Sequence, residues 1–428
     1  MTDGKAYPIP KSWTESSIGK IVVKAKQRDP RKKPEEVFQY VDVSSVSNEL
    51  FKITAATPTL GSEAPSRARK AIEKDDVLFA TVRPTLKRIA LVPPEFDGAI
   101  ASTGYCILRC DQSKADPGFL YFFLITDHFN ARMAGLERGA SYPAVRDLDV
   151  KESWIPLPPL PEQKKIAGIL STVQRAIEEQ ERIIETTTEL KKALMHKLFT
   201  EGLRGEPQKH TEIGPVPESW TPVTLGELCE KPEGALQTGP FGSQLHKHEY
   251  QEDGIAVVNP THLAGNRINH ENVPHVSEQV AQRLGKHRLR KFDILFARRG
   301  EIGRQGLVTE AEETWLCGTG CFLVRASKPF IDNRFLALYF ATDRLVKWLY
   351  AHAAGAIMPN LNNAVMQRLP VFYPDLETQT MIVETFATID HKLNAAVQRR
   401  TALQNLFRTL LHELMTAKTR VHELELSA

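Results

Sequence analysis

Asp76-Val-Leu-Phe-Ala80 returns later in the chain as Asp293-Ile-Leu-Phe-Ala297. Thr103-Gly104 likewise returns as Thr319-Gly320, and from there onward the two copies keep a constant offset of 216 residues. Solenoid repeats have periods of roughly 20 to 50 residues, so a period this long predicts two whole domains of one kind. A chain built as a pseudo-dimer is expected to meet a partner that also has two similar halves.

The repeat is looser before Thr103 than after it. Ile9-Pro-Lys-Ser-Trp13 corresponds to Val216-Pro-Glu-Ser-Trp220 at an offset of 207, whereas Gly139-Ala140 corresponds to Gly355-Ala356 at the later offset of 216. We interpret the strict portion as a frame that both domains share. The loose portion is where two domains would differ if they recognise different targets.

Length and composition are those of an ordinary globular protein. The chain has 428 residues, of which 42% are hydrophobic and 25% charged, which is enough for two to four domains with cores of their own. It has no apolar run of the roughly eighteen residues that a membrane span needs, and its N-terminus lacks the apolar region of a signal peptide. We therefore expect a cytoplasmic protein without a membrane segment.

The five cysteines are too few and too irregular for a disulfide framework, and they predict reduced, buried thiols. Cys106 and Cys110, like Cys317 and Cys321, have a C-x3-C spacing. No second Cys pair or His pair nearby completes the four ligands of a zinc site. We therefore expect no metal.

The net charge of +3 is close to neutral, but the cations are clustered. Clustered cations of this kind are the electrostatic footprint of a polyanion, although any one patch also fits a solvated face. Their presence in both repeats favours the polyanion. The clusters are Lys24, Lys26, Arg28, Arg31, Lys32 and Lys33; Arg83, Lys87 and Arg88; and Lys286, His287, Arg288, Arg290, Lys291, Arg298, Arg299 and Arg304.

Each half of the chain divides into a globular part and a helical tail. Short β-branched and aromatic runs such as Val77 to Val82 and Cys321 to Val324 predict strands. Apolar residues at helical spacing predict helical segments at Pro117 to Leu136 and Asp332 to Ala351. The fold class expected is mixed α/β (α+β), with two similar strand-rich domains.

The tails predict two long amphipathic helices, each about 60 Å long at 1.5 Å per residue. Their stripes can cover each other, and a pseudo-twofold axis would make them an antiparallel coiled-coil spacer between the domains. The alternative, two surface helices each lying on its own domain, would leave far apolar turns in water. The expected seam is Ile166, Leu170, Val173, Ile177, Leu194, Leu198, Ile382, Phe386, Ile389, Leu393, Leu410 and Leu414, with Ile184, Leu190 and Leu406 at the same spacing.

Gln180, Thr187 and Lys191 interrupt this seam with polar side chains, and the sequence leaves open whether they set the register or bind a partner.

The predicted domain boundaries follow from the same patterns. They are 1–160 for the first globular domain, 161–205 for the first helix, 206–376 for the second domain, 377–420 for the second helix and 421–428 for a C-terminal tail.

Specific motifs appear in the second half. Gln237-Thr-Gly-Pro-Phe-Gly-Ser-Gln-Leu245 is followed by Tyr250, by Asp253-Gly-Ile255 and by Val258-Asn-Pro-Thr261, and Pro158-Pro-Leu-Pro-Glu-Gln163 opens the first long helix. Together with the duplication of the whole chain, these motifs resemble the specificity subunit of a type I restriction-modification system. The resemblance covers nearly the full length.

Two segments depart from the family pattern. Asp29-Pro-Arg-Lys-Lys-Pro34 stands where the first half would carry the Gly-Pro-Phe-Gly-Ser loop, and Asp375-Leu-Glu-Thr-Gln379 replaces the Pro-Glu-Gln form at the second helix. The first departure puts in doubt any transfer of loop residues to the N-terminal domain. The second matters less, because Glu377 and Gln379 still suit a helix start.

The resemblance implies that each globular part is a target recognition domain reading one half of a split, asymmetric sequence in double-stranded DNA. It further implies that the long helices join the domains and dock two modification (methyltransferase) subunits, with restriction (translocase and endonuclease) subunits in the full assembly. Neighbouring genes would distinguish this system from a combined restriction-methylation enzyme of another type.

No catalytic constellation occurs in the sequence. A G-x-x-x-x-G-K-[ST] phosphate loop is absent, and no G-x-G-x-x-G opens a helix after a strand. Asn259-Pro-Thr-His262 lacks the second proline and the stacking aromatic of an amino-methyltransferase motif, so we interpret it as a turn. We expect a non-catalytic subunit without a cofactor.

Turns rich in Arg, Lys, Ser, Thr, Asn and Gln are the candidate DNA contacts, because these side chains grip phosphates and read base edges. The alternative is a protein scaffold whose duplicated domains bind other proteins and whose cations only keep it soluble. The candidate contacts are Arg83, Lys87, Arg88, Arg138, Ser141 and Tyr142 in the first domain, and Gln237, Ser243, Gln244, Asn259, Thr261, His262, Arg298, Arg299, Arg304 and Gln305 in the second.

Overall fold

The computed structural model describes residues 7–353 and 360–421. The chain forms two compact units, Met1–Ile184 with Ala396–Ala428, and Glu185–Ala395. Each unit takes one globular part of the repeat and a segment of each long helix. Gly355-Ala356 of the sequence repeat and residues 422–428 of the predicted tail lie outside the described residues.

The strands of the first unit form two four-stranded sheets and two strand pairs. The first sheet is antiparallel in the order β2-β11-β8-β9, and the second has the order β6-β3-β10-β7 with β3 and β10 parallel. β1 pairs with β12, and β4 with β5. The strands are β1 (Thr14–Ser17), β2 (Val22–Val23), β3 (Val37–Val41), β4 (Val46–Ser47), β5 (Lys52–Ile53), β6 (Thr57–Leu60), β7 (Ala68–Ala71), β8 (Val77–Ala80), β9 (Ile89–Leu91), β10 (Ile100–Ser102), β11 (Tyr105–Cys110) and β12 (Trp154–Leu157).

β8 shows why the repeated apolar run decides the fold. Side chains of a strand alternate between its two faces. Val77 and Phe79 accordingly join one buried cluster, and Leu78 and Ala80 join another on the opposite face. A continuous apolar run therefore serves a strand that is buried on both sides.

The second unit repeats this plan. Its sheets have the orders β16-β25-β22-β23 and β17-β21-β18-β24, with β18 and β24 parallel, and β15 pairs with β26 as β1 does with β12. β13 pairs with β14, and β19 with β20. The strands are β13 (Gln208–Thr211), β14 (Gly214–Pro217), β15 (Thr221–Thr224), β16 (Ala235–Thr238), β17 (Tyr250–Gln251), β18 (Ile255–Val258), β19 (Leu263–Ala264), β20 (Arg267–Ile268), β21 (His275–Val276), β22 (Ile294–Ala297), β23 (Gln305–Leu307), β24 (Leu316–Cys317), β25 (Cys321–Arg325) and β26 (Pro370–Tyr373).

The α-helices follow the same repeat. The helical segment predicted at Pro117 to Leu136 is two helices, because the Thr126 hydroxyl donates to the carbonyl of Phe123 at 2.7 Å and accepts from a backbone amide of the next helix. Thr342 makes the first of these bonds in the second unit. The helices are α1 (Pro117–Ile125), α2 (Asp127–Gly135), α3 (Asp147–Lys151), α4 (Leu160–Glu201), α5 (Leu225–Leu228), α6 (Glu278–Arg283), α7 (Asn333–Phe340), α8 (Asp343–His352), α9 (Asn363–Gln367) and α10 (Leu376–Met415).

A buried glutamine fixes the start of each long helix. The Gln163 amide oxygen accepts from the Asp116 backbone amide at 2.9 Å, and its nitrogen donates to the Pro158 carbonyl at 2.9 Å. Gln379 makes the equivalent bonds to Asp332 and Pro374, both at 2.8 Å. Each glutamine thus satisfies backbone groups that burial would otherwise leave without a partner. The second helix opens with a different sequence from the first, but Gln379 keeps the same contacts as Gln163.

Within each unit, the segments of α4 and α10 pack on the same core. In the first unit Ile166 shares a cluster with Leu414, and Glu181 pairs with Arg400. In the second Leu198 shares a cluster with Ile382, and Lys191 pairs with Asp390. The two helix segments are therefore antiparallel within each unit. Leu190 and Leu406, which have the same spacing, are 51% and 46% exposed, so their assignment to the stripe is wrong. The inward positions nearby are taken by other side chains, such as the buried Thr187.

The remaining predicted seam residues are buried or partly buried in these two clusters. They are Leu170, Val173, Ile177 and Leu410 in the first unit, and Leu194, Phe386, Ile389 and Leu393 in the second. The expected mixed α/β class, with two strand-rich domains and long helices, is confirmed. Among the described residues, no helix combines the length and the apolar composition that a membrane span requires.

Candidate nucleic-acid interface

The first unit brings two of the predicted segments together at one end of its antiparallel sheet. Residues 81–88 form the turn between β8 and β9, and the loop 138–144 lies beside it. Arg138 and Ala144 exchange two backbone hydrogen bonds of 3.0 Å, which close the loop. The backbone amide of Arg83 in the turn donates to a loop carbonyl at 2.7 Å. The fold therefore makes one surface from segments that are distant in sequence.

Arg83, Ser141 and Tyr142 face solvent on this surface. Arg83 has a left-handed backbone, with φ of 49°. The guanidinium carbon of Arg83 lies 5.1 Å from the centroid of the Tyr142 ring. The ring itself is 71% exposed. A cation and an aromatic ring are therefore paired in a position open to a ligand.

The side chain of Arg138 is exposed, and its guanidinium is held by an ion pair. Its guanidinium donates to Asp149 at 2.8 Å, and Arg146 binds the same carboxylate. Hydrogen bonds from Arg146 and from Arg138 hold the pKa of the Asp149 carboxyl well below its usual range. The carboxylate orients Arg138, whose side chain remains accessible to a phosphate.

Lys87 and Arg88 occupy the same turn but are already engaged. Lys87 pairs with the exposed carboxylate of Asp127 at 2.8 Å. The Arg88 guanidinium donates to the backbone carbonyls of Val43, Ser44 and Val46. Arg88 therefore holds residues 43–46 in place, whereas the ion pair of Lys87 with Asp127 is exposed to solvent.

In the second unit, the segment from Gln237 to Gln244 divides between a strand and a loop. Gln237 lies in β16, and its amide nitrogen donates to the Lys286 carbonyl. The side-chain oxygen of Gln244 accepts from the backbone amide of Phe241 at 3.3 Å. Ser243 and the ring of Phe241 are the exposed side chains of this loop.

The segment Asn259 to His262 is a short turn, as expected. The backbone amide of Asn259 donates to Nδ1 of His262 at 3.0 Å. His262 is buried, and this burial lowers the pKa of its imidazole. Thr261 is exposed, whereas His262 faces inward and does not reach the surface.

Residues 298–304 form the turn between β22 and β23, which is equivalent to the turn 81–88. Arg298 donates through Nε to the Leu361 carbonyl at 3.1 Å, and Arg304 donates to Glu301 at 2.7 Å. Arg299 is exposed at the tip. Gln305 follows in β23 and is only 2% exposed, and its amide nitrogen donates to a carbonyl of α7, so its side chain offers no surface to DNA.

One exposed residue near these cations is not among the contacts that the sequence predicts. Phe241 is 53% exposed, and the guanidinium carbon of Arg298 lies 5.8 Å from its ring centroid. An aromatic residue between a proline and a glycine, in a loop bounded by turn residues, is the signal that would have identified it.

The surface around Arg83 and Tyr142 and the surface around Arg298 and Phe241 share a chemistry that suits a polyanion. Each presents arginines and hydroxyls, which bind phosphate oxygens, next to an aromatic ring. In residues 7–353 and 360–421, no group of three or more His, Cys, Asp and Glu side chains is placed to hold a metal ion. All five cysteines are buried free thiols.

Comparison with known families gives two matches within the chain. The model described as "Type I restriction modification DNA specificity domain" matches residues 10–187 and again residues 217–404. The MjaVIII specificity subunit of a type I restriction enzyme from Methanocaldococcus jannaschii is 26% identical over 76% of both chains. The putative MjaX specificity subunit of the same organism is 23% identical over 96% of this chain and 95% of its own.

Solved structures give the same correspondence. A chain from a structure on complex assembly and conformational transition of the type I R-M system has a TM-score of 0.54 and 26% identity, covering 96% of this chain and all of its own. The S subunit of a type I restriction-modification system from M. genitalium has a TM-score of 0.61 at 19% identity, over 97% of this chain and 99% of its own. The second likeness concerns the fold alone.

Proposed function

Because the chain belongs to the type I restriction modification DNA specificity family, whose domain it contains twice, we propose that it recognises the DNA sequence for a type I restriction-modification complex. Each domain reads one half of a split target, and the two halves differ. The protein is not itself a catalyst. It determines the DNA sequence at which other subunits act.

One observation carries this proposal: the same strand turn carries cations in both domains. Residues 81–88 and 298–304 join equivalent strands, and the first turn carries Arg83, Lys87 and Arg88 where the second carries Arg298, Arg299 and Arg304. Beside these turns the exposed aromatic rings come from different places, from residues 138–144 in one domain and from the loop around Phe241 in the other. A common grip with different neighbours is what two readers of different half-sites require.

The accessible candidates divide by chemistry. Arg83, Arg138, Arg299 and Arg304 suit phosphate oxygens and the O6 and N7 acceptors of guanine, which arginine binds in a bidentate manner. The exposed hydroxyls of the loops suit phosphates, where they fix register without reading sequence. Each bidentate base contact contributes about 1–3 kcal/mol of discrimination.

The partners follow from the division of labour in such a complex. Two methyltransferase subunits would match the two halves of the repeat, and restriction subunits complete the assembly. The relatives are named specificity subunits of restriction enzymes, which supports this assignment.

The competing function is a protein scaffold that binds no nucleic acid. Duplex binding measured against salt concentration separates the two, because a protein that neutralises phosphates loses affinity steeply as salt rises. The chain is tested with and without its modification subunits. A binding constant that does not respond to salt, or no binding in either state, would favour the scaffold.

A charge-matched pair of variants tests whether the cationic turns bind the DNA phosphates. Arg83→Glu with Arg299→Glu reverses one cation in each turn after β8 and β22. Lys74→Glu with Lys347→Glu reverses one exposed cation in each unit outside the cation clusters. We expect the first variant to reduce both affinity and salt dependence and the second to change neither. Equal effects would assign the binding to net charge alone.

A further inference from the structure

Tyr142 and Phe241 are exposed aromatic rings, and each has a guanidinium beside it. Single exposed apolar side chains are common on protein surfaces and need no explanation by themselves. These two differ from such residues because the backbone beneath each ring is fixed by hydrogen bonds. Each is also placed next to the cationic turn of its own unit.

The backbone at Phe241 is held from both sides. The Gly239 amide donates to the Cys321 carbonyl at 2.8 Å, and the Thr319 hydroxyl donates to the Pro240 carbonyl at 2.9 Å. A Cβ on Gly239 would lie 2.0 Å from a backbone oxygen of the neighbouring segment, so the close approach requires glycine. On the other side, the Phe241 carbonyl accepts from the amide of the buried Leu245 at 3.1 Å.

The backbone at Tyr142 is fixed by a different construction. The loop 138–144 is closed by its two terminal hydrogen bonds and joined to the cationic turn through Arg83. Gly139 has φ of +95°, and a Cβ there would lie 3.3 Å from the Tyr142 carbonyl. The two loops lie at different places in the fold, one before a helix and one after a strand. Each presents a ring beside the cationic turn of its own unit.

We propose that Tyr142 and Phe241 are stacking wedges, each of which places its ring against a base that the bound duplex has partly unstacked. An aromatic ring on a rigid backbone suits this role, because inserted apolar side chains separate base steps and every base offers a face to stack on. The neighbouring arginine holds the orientation of the ring and supplies a positive charge to the adjacent phosphate. The inference rests on the proposed DNA recognition.

The wedges add a requirement on DNA deformability to the reading of base edges. Pyrimidine–purine steps unstack most easily, so a wedge favours such a step at its position even where no base edge is contacted. Each half-site should therefore contain one step that responds to one ring and not to the other.

The test uses the full chain assembled with its modification subunits and a duplex of the target mapped from methylated adenines. 2-Aminopurine replaces one base at a time through both half-sites, leaving out the methylated adenines. Its fluorescence rises when the base is unstacked. We expect one responsive step per half-site in the unmodified complex.

Tyr142→Ala is expected to abolish the signal in one half-site and Phe241→Ala the signal in the other. Loss of a stacked base should weaken binding about 10-fold to 100-fold in each case. Tyr142→Phe and Phe241→Tyr keep the ring and should retain both signals. Tyr350→Ala removes a ring that is 46% exposed on α8 and serves as the control.

Alanine variants that keep the affinity and the fluorescence profile would overturn the inference and leave DNA recognition intact. The same holds if the unmodified complex binds its target without a responsive step. A complex that binds no duplex at all would overturn the proposed function as well. Because both rings are exposed, unfolding midpoints of the variants should equal that of the unmodified chain.

Discussion

In the first unit Asp76 accepts two hydrogen bonds of 2.8 Å from Arg109, and in the second unit Asp293 binds Arg325 in the same bidentate way. Both carboxylates are buried at the start of equivalent strands. The buried polar contacts are thus copied between the units. The glycine-bounded loop around Phe241 is not, since the first half has Asp29-Pro-Arg-Lys-Lys-Pro34 in its place.

This difference shows where the two domains were free to diverge. A buried ion pair constrains both strands that carry it, because either partner alone would be left without compensation. An exposed turn carries no such constraint. The frame is therefore the common part of the molecule, and recognition belongs to what the frame displays.

One buried contact does differ between the units. The Trp13 indole nitrogen donates to Glu162 at 3.2 Å, and Glu162 also pairs with Arg420 at 2.9 Å. In the second unit, the buried indole nitrogen of Trp220 has no hydrogen-bond partner among the described residues. Thr378 stands where Glu162 would be repeated. The changed motif at the start of α10 therefore has a visible consequence.

The largest effect is expected from removing the paired carboxylates. Asp293→Ala removes the carboxylate that the largely buried Arg325 binds, which costs about 3–5 kcal/mol. Asp76→Ala leaves Arg109 paired with the half-exposed Glu73 at 2.7 Å, so we expect its cost at the lower end of this range. Denaturant unfolding, with hydrogen exchange to assign the loss to one unit, measures the effect. Glu36→Ala removes an exposed partner of Arg28 and Lys33 and should cost under about 1 kcal/mol. A large loss in one unit and none in the other would break the comparison.

The buried glutamines come next. Gln163→Ala and Gln379→Ala remove a side chain that satisfies a backbone amide and two carbonyls, and we expect each to destabilise its unit by about 2–3 kcal/mol. Thermal and denaturant unfolding measure the change. Gln398→Ala, at an exposed position of α10, should leave stability nearly unchanged. If the three variants are equally stable, the glutamines do not stabilise the starts of the helices.

A pH effect on stability is expected from His287 in the second unit. Burial first, and the charge of Lys286 second, lower the pKa of His287 to about 4. The unfolded chain binds this proton near pH 6.5, so the contribution to stability is present above that pH and is lost as the pH falls toward 4. At pH 5 the loss should be about 2 kcal/mol.

His287→Leu tests this assignment, because both ring nitrogens are buried without a hydrogen-bond partner among the described residues. The variant should lose less stability than the unmodified chain between pH 7.5 and pH 5, as measured by urea unfolding at both values. His391→Leu changes an exposed histidine of the same unit and is the control. An unchanged pH dependence in His287→Leu would contradict the prediction.

The smallest effect is expected from a single phosphate contact. Arg299→Ala should weaken binding to the target and to unrelated duplexes alike, by about 1 kcal/mol, and should reduce the salt slope by about one. Titration at several salt concentrations measures both quantities, with Lys347→Ala on α8 as the control. A loss restricted to the target would instead assign Arg299 to base reading.

The sequence predicted those parts of the fold that repeat a pattern. The run after Asp76 and its copy predicted the central strands, and the apolar spacing after Pro161 predicted the long helices. Thr126 was not recognised as a break, because its effect depends on hydrogen bonds to two successive helices. The role of Gln163 was missed for a similar reason, since it depends on backbone groups far away in sequence.

Candidate contacts were harder to predict than elements. Residue type indicates that Gln305, His262 and Arg88 carry hydrogen-bonding groups, but it does not indicate where those groups point. In β23 the alternation of side chains turns Gln305 toward the core. Exposure was predicted better where turn residues surround the candidate, as at Tyr142 and Ser243.

Mapping of methylated adenines shows directly whether the chain reads a split target with two different halves. The chain is expressed with its modification subunits in a host that lacks other adenine methyltransferases, and the methylated sites are sequenced. We expect one split motif whose two half-sites differ and are separated by a fixed unread gap. A palindromic motif, a single continuous motif or no methylation that depends on this chain would contradict it.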